Sequence, residues 1–175
     1  RGTGNSRLLP AGPLRESLHR LSVVTAVVWN SCSVKQGAIE AATISVPQFE
    51  MTLTGERFVS LSDDSKCCTA RDLIGKRLFA IAGIGDPSRF FSQLAALGLD
   101  FEARPFPDHH RYTASDLVFA DDGVLLMTEK DAVKCAAIVA REAWVLPVAA
   151  QVQATSDGHT LLDTILEKLD GRTFA

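Results

Sequence analysis

With 175 residues, the chain is long enough for one domain, or a domain with a lobe attached, that buries roughly 70% of its unfolded surface. Hydrophobic residues at 46% against 22% charged residues exclude intrinsic disorder. The 18 Lys and Arg against 21 Asp and Glu leave a net charge of −3 with no basic run, which argues against nonspecific nucleic-acid binding, and no apolar stretch has the length of a transmembrane helix.

Residues 1–20 are rich in Gly, Pro and Arg, and Pro13 stands where a first-turn proline would, which predicts a short helix over Leu14–Leu21. The β-branched run Val23-Val24-Thr25-Ala26-Val27-Val28-Trp29 predicts a buried strand. Residues 43–61 alternate apolar and polar around Thr54-Gly55-Glu56, a pattern for two strands joined at Gly55 as a hairpin or a connecting ribbon. The polar stretch Ser62–Thr69 reads as a loop.

From Gly75 onward the rhythm becomes strand, turn, helix. Strands are predicted at Arg77–Ala82, Leu99–Phe106, Gly123–Met127 and Trp144–Val148, and helices at Pro87–Leu97, Thr113–Phe119, Lys130–Arg141 and Gly158–Leu169. Short apolar strands alternating with helices imply a parallel sheet covered on both faces. The expected fold class is therefore α/β, a three-layer α/β/α arrangement with a mostly parallel, Rossmann-like sheet, preceded by a linker and a β ribbon.

In such a sheet, ligands bind beyond the carboxyl ends of the strands. Three polar clusters fall there: Gly83-Ile84-Gly85-Asp86-Pro87-Ser88-Arg89, Asp108-His109-His110-Arg111-Tyr112, and Thr128-Glu129-Lys130-Asp131. Gly83 and Gly85 at a strand-to-helix turn can present backbone N–H groups to an anion; the plainer alternative is a tight turn that needs glycine for its backbone angles. Asp108, His109 and His110 can serve a proton transfer or bind a metal, since an imidazole titrates near neutral pH; the plainer alternative is a loop histidine satisfied by backbone hydrogen bonds. Thr128 can cap a helix with Asp131 reaching back, which leaves Glu129 and Lys130 for ligand contacts.

Cys32, Cys67, Cys68 and Cys135 form no C-x-x-C pair, and reduced thiols of a cytoplasmic protein are expected. The opening Arg1-Gly2-Thr3 has no targeting pattern, and the chain reads as a piece of something longer.

Four separated blocks, in order, carry a resemblance. They are the run from Gly4-Asn5-Ser6-Arg7 through Pro13-Leu14-Arg15-Glu16, Ala82-Gly83-Ile84-Gly85 with Pro87 and Arg89-Phe90-Phe91, Phe106-Pro107-Asp108-His109-His110, and Thr128 through Cys135. Together they resemble the C-terminal part of the tetraacyldisaccharide 4'-kinases of lipid A biosynthesis in Gram-negative bacteria. The resemblance implies transfer of the γ-phosphate of ATP, with Mg²⁺, to the 4'-hydroxyl of a tetraacyldisaccharide 1-phosphate. It implies two α/β/α lobes joined by a β ribbon: residues 1–42 as the end of the first lobe and linker, 43–74 as ribbon and connecting loop, and 75–175 as the second lobe. The phosphate-cradling G-x-x-x-x-G-K-[ST] loop does not occur in these 175 residues, so this chain is expected to be inactive alone, with ATP and Mg²⁺ held mainly by an N-terminal lobe that also covers part of its surface.

By the same resemblance a histidine of the Asp108 block supports an aspartate of the other lobe as catalytic base, His109 first and His110 in reserve. Gly83, Gly85, Arg89, Thr128, Glu129, Lys130 and Asp131 would lie near nucleotide or substrate, and Arg7 and Arg15 could face the sugar phosphate or, equally, stabilise the junction between the lobes. Ser6 stands where the family usually has glycine, and Ser17 where proline is common. The implied partner is a lipid disaccharide at the membrane surface, not nucleic acid, and the implied location is cytoplasmic, peripheral to the inner membrane. Two other readings are a metal-dependent phosphoesterase using Asp108–His110 with Asp121-Asp122, and a non-catalytic nucleotide-binding or interaction module.

Overall fold

A computed structural model describes residues 5–30, 44–120 and 122–171. Gly4, Cys32 and Asp121, each singled out above, lie outside the described residues. In chain order the strands are β1 (Val27–Asn30), β2 (Gln48–Thr54), β3 (Arg57–Ser60), β4 (Cys67–Thr69), β5 (Leu78–Ala82), β6 (Glu102–Pro105), β7 (Val124–Thr128), β8 (Ala143–Leu146) and β9 (Ala149–Val152). The α-helices are α1 (Ala70–Leu73), α2 (Pro87–Ala96), α3 (Glu129–Cys135) and α4 (Leu161–Leu169), with 3-10 turns at Leu18–Ser22 and Ala114–Ala120.

The chain divides into two compact units, residues 1–54 with 150–175, and residues 55–149. The boundaries differ from those expected at 42/43 and 74/75, and α4 belongs with the first unit. The hairpin reading of residues 43–61 is corrected as well. β2 pairs in parallel with β1, from Val27 opposite Gln48 to Asn30 opposite Met51, and has β9 on its other edge, whereas β3 pairs with β4 and β8. Gly55 is glycine for a different reason: a Cβ there would stand 2.3 Å from the Pro147 carbonyl oxygen, so the backbone approach leaves no room for one.

In the first unit, Asn5 Nδ2 donates to the Ala11 carbonyl at 3.0 Å and folds the linker block back on itself. The helix predicted over Leu14–Leu21 is reduced to the 3-10 turn, because the Ser17 hydroxyl caps it late by accepting from His19 N–H. Thr160 and Asp163 form a capping box that starts α4, and the apolar residues Leu162, Ile165, Leu166 and Leu169 are exposed at helical spacing along it.

The second unit is a mixed α/β body whose six-stranded sheet runs β4-β3-β8-β7-β5-β6. β6, β5, β7 and β8 are mutually parallel; β3 joins the β8 side antiparallel to them, and β4 completes that edge antiparallel to β3. Side-chain alternation along the strands divides the core in two. Leu78, Ala80 and Ala82 of β5 join Leu126 of β7 with Phe90 and Leu94 of α2. Phe79 and Ile81 face the other way and join Leu125 and Met127 with Leu117, Ala120 and Cys135. Each fully buried Leu, Ile or Phe of these layers contributes about 1.5–3 kcal/mol.

Three predicted elements are shorter than expected. β6 covers four exposed residues at the sheet edge, where Glu102 and Arg104 pair with each other. α3 stops at Cys135 because Ile138 and Val139 turn back onto the second cluster, so the run to Arg141 is not one helix. The segment 62–69 is not all loop: Cys67–Thr69 adds an edge strand, and Asp72 bonds back to Thr69 to start α1. Cys67, Cys68 and Cys135 are free thiols, and burial pushes Cys68 up to about 11 and Cys135 up to about 12. Among the described residues no helix is long and apolar enough to cross a membrane.

Candidate functional site

The three clusters lie where parallel strands β5, β6 and β7 end, and the structure connects them through side chains. Ala82 ends β5, and the loop Gly83–Asp86 leads into α2, with Pro87 at its first turn. Beyond β6 the chain rejoins β5 once more, Phe106 N–H donating to the Ala82 carbonyl at 2.8 Å, before the turn Pro107–His110 closes with His110 N–H on the Pro107 carbonyl at 3.1 Å. Thr128 ends β7 and caps α3, its hydroxyl oxygen accepting from Asp131 N–H at 3.2 Å.

The two histidines part ways in this turn. His109 has φ of 61°, the left-handed region that costs an L-residue energy, and its side chain is 80% exposed. Its Nε2 lies 3.8 Å from Asp108 Oδ2, and Lys130 Nζ donates to Asp108 Oδ1 at 3.0 Å. That ammonium, with a smaller contribution from the His109 imidazole, holds the Asp108 carboxyl below the usual carboxylate range. His110 is only 25% exposed, stacked among Phe106 and Tyr112 with ring centroids 4.8 and 5.0 Å away, and its Nε2 is 3.3 Å from Asp116 Oδ2. His110 is thus pinned by packing, while His109 projects from the rim.

Asp116 is a site residue that the sequence reading missed, although the spacing Thr113-x-x-Asp116 is a capping signal that could have shown it. The Thr113 hydroxyl and amide, both at 2.8 Å, and then the His110 imidazole hold its carboxyl below the usual range. A carboxyl depressed in the folded state stabilises at pH above its unfolded value, about 4, and that stability is lost as pH falls through the folded value. Asp116→Asn is therefore expected to lower the melting temperature at neutral pH but to lose less of it on acidification below about pH 4. Parallel pH profiles for the two proteins, by calorimetry, would rule this out.

The third cluster is mostly internal. Asp131 is fully buried, and its carboxylate accepts from Gly83 N–H at 3.1 Å, Tyr112 O–H at 3.1 Å, Thr128 O–H at 2.7 Å and Lys134 Nζ at 3.4 Å. Glu129 Oε2 accepts from Val148 N–H at 3.1 Å and so ties the start of α3 to the chain leaving β8. Three expectations change accordingly. Gly83 N–H is spent on the Asp131 carboxylate and is not left to bind a ligand phosphate. Its φ is not left-handed either, so neither a phosphate cradle nor a turn conformation explains the glycine. A Cβ at position 83 would instead meet Tyr112 Oη at 2.7 Å and Asp131 Oδ1 at 3.1 Å. Asp131 and Thr128 face inward, leaving Lys130 as the exposed cation of this block, paired across to Asp108.

Gly85 is exposed at the loop before α2, and Arg89 is half-buried on that helix. Asp86 stands at the N-cap, an acidic neighbour that disfavours an anion there. Arg7 and Arg15 belong to the first unit. A cavity of about 370 Å³ lined by Leu73, Lys76, Arg77 and Asp100 lies at the opposite, amino ends of the strands, where Arg77 pairs with Asp122 and Lys76 with Glu142. Asp122 precedes β7 and sits at that opposite edge too. Asp122 thus lies at the other end of the strands from Asp108–His110, and among the described residues no three His, Cys, Asp or Glu group as metal ligands, which does not favour the phosphoesterase reading.

The model of the family described as tetraacyldisaccharide-1-P 4'-kinase matches residues 1–167. The tetraacyldisaccharide 4'-kinase of Dechloromonas aromatica is 49% identical over 176 residues, 100% of this chain and 50% of that protein. That of an Azoarcus species is 44% identical over 166 residues, 95% of this chain and 46% of its own. Among solved structures, the crystal structure of LpxK from Aquifex aeolicus in complex with ATP is similar with a TM-score of 0.65 and 25% identity, covering 94% of this chain and 49% of that one. The chain spans about half the length of the curated relatives it matches.

Proposed function

The chain belongs to the tetraacyldisaccharide-1-P 4'-kinase family, and from that premise we propose that it is the second lobe of an enzyme moving the γ-phosphate of ATP to the 4'-hydroxyl of a tetraacyldisaccharide 1-phosphate, in lipid A biosynthesis. The observation that carries the reading for this chain is His109, exposed and left-handed at the convergence of three strand ends, with Asp108 and Lys130 beside it. Non-glycine residues in this backbone region concentrate at functional sites, because the surrounding structure must compensate their strain.

As the sugar oxygen attacks phosphorus, the O–H bond breaks while the new P–O bond forms and the bridging bond to ADP is cleaved. The proton leaves toward a carboxylate–imidazole pair, His109 supplying the imidazole and the half of the relatives' length that this chain does not match supplying the carboxylate. Lys130 keeps Asp108 ionised, and the Asp108 carboxylate lies 3.8 Å from His109 Nε2. Mg²⁺ would neutralise charge on the phosphates when bound; among the described residues no three His, Cys, Asp or Glu group to hold it, and in this reading it is held mainly by the half of the relatives that the chain does not match. The exposed apolar stripe of α4 supports a covering surface supplied by that other half, and the lipid substrate supports work at the cytoplasmic face of the inner membrane.

The test joins this chain to the half of the Dechloromonas relative that it does not match. Labelled phosphate should pass from ATP to the tetraacyldisaccharide 1-phosphate with the joined protein, and not with the 175-residue chain alone. A joined protein that folds and binds ATP but transfers nothing would point to a non-catalytic module. Turnover by the chain alone would overturn its reading as a dependent lobe.

A further inference from the structure

Asp131 is an ionisable side chain with no solvent exposure, a costly arrangement that persists only where donors replace the lost water. Its donors come from three separate segments. Gly83 N–H belongs to the loop after β5, Tyr112 O–H to the loop after β6, and Thr128 O–H and Lys134 Nζ flank it on the β7–α3 segment. The Tyr112 ring in turn lies 5.0 Å from the His110 ring and 5.0 Å from Phe106, and Lys134 Nζ sits 5.6 Å over its face. A chain of contacts therefore runs from the Asp131 carboxylate through Tyr112 to His110, the neighbour of His109 in the closed turn.

We infer that Asp131 is the positioning residue of this cluster: its carboxylate locks the loop after β5 to the loop after β6, and the placement of His109 depends on that lock, with no ligand contact by Asp131 itself. The lock stands on geometry alone, while its consequence for phosphoryl transfer rests on the kinase reading above. Asn is nearly isosteric but carries an amide in place of one oxygen, so in Asp131→Asn a donor must face either Gly83 N–H or the Tyr112 and Lys134 side. One of the loops is released, whichever way the amide turns.

The first measurement uses this chain by nuclear magnetic resonance and amide exchange. In Asp131→Asn, exchange at Gly83 should rise about tenfold or more, and resonances of Asp108–Tyr112 should move with it, which a local effect on α3 would not produce. Tyr112 is the single tyrosine, so its phenol titration is a private signal. Burial, then the Asp131 charge, holds that phenol above its ordinary range, and the variant should titrate lower. Changes confined to Thr128–Cys135 would overturn the inference. Should Asp131→Asn fail to fold, Tyr112→Phe removes the same tie with the ring kept, and the same residues 108–110 should shift.

In the joined protein, Asp131→Asn should lower kcat by about 10- to 100-fold with KM for both substrates within about threefold. A rise in KM for ATP at unchanged kcat would mean that Asp131 meets the nucleotide, against the inference. If the unsubstituted joined protein transfers no phosphate, the kinase reading fails while the resonance and exchange results still decide the lock.

Discussion

Alanine at position 109 is expected to lower kcat of the joined protein by roughly 10²- to 10⁴-fold, the range for lost acid–base help, while unfolding free energy changes by no more than about 1 kcal/mol. The small stability effect follows from the 80% exposure of the side chain, which makes no buried contact to lose. Glycine separates function from folding further. With φ at 61°, His109→Gly removes the steric cost of a left-handed L-residue, roughly 1 kcal/mol, so this variant should be as stable as the parent or more so, and as inactive as the alanine variant. Stability rising while activity falls is a combination that a structural histidine does not give. His110→Ala should do the reverse, losing the stack on Phe106 and Tyr112 and the Asp116 partner, with melting temperature falling and kcat following only in part. A kcat collapse in His110→Ala at unchanged melting temperature would exchange the two roles.

Valine at position 83 is expected to cost about 3 kcal/mol or more, which for a chain of this size lowers the melting temperature by roughly 6–12 °C. Two effects add. The Cβ would stand 2.7 Å from Tyr112 Oη and 3.1 Å from Asp131 Oδ1, closer than these atoms allow, and both belong to a packed network with no free volume to yield. Pushing the carboxylate aside then leaves buried donors unpaired, each worth about 1–3 kcal/mol. Because the cause is space, part of the loss should be recoverable. Gly83→Ala combined with Tyr112→Phe deletes the nearest clashing atom, so the double variant should be more stable than the two single losses predict. Simple additivity in urea denaturation would show that the hydroxyl is not the obstacle, and an unchanged Gly83→Val protein would remove the crowding account altogether.

Both predictions draw on the same feature, a cluster in which exposed and buried polar residues alternate within a few positions. Lys130 and Asp131 are neighbours in sequence, yet one spans solvent to Asp108 and the other is sealed among Gly83, Tyr112 and Thr128. The reason is helical direction: α3 begins at the carboxyl end of the interior strand β7, so successive residues of its first turn face the rim, then the core.

Local chemistry in the sequence was enough for the strands β5, β7 and β8, for α2 with Pro87 at its start, and for Thr128 as the cap of α3, because apolar runs, a first-turn proline and a capping hydroxyl act within a few residues of themselves. It also placed three polar clusters at the ends of parallel strands, since chain order and strand direction follow from the alternation of elements. Tertiary structure alone decided the rest. β2 and β3 read as one hairpin by pattern, but strand pairing depends on edges offered by residues far away, β1 and β9 for one and β4 and β8 for the other. Which histidine of the pair is packed and which is presented was decided by Phe106, Tyr112 and Asp116 closing around one ring. Gly83 owes its identity to a tyrosine and an aspartate 29 and 48 positions away, and contacts of that range leave no periodicity in the sequence to read.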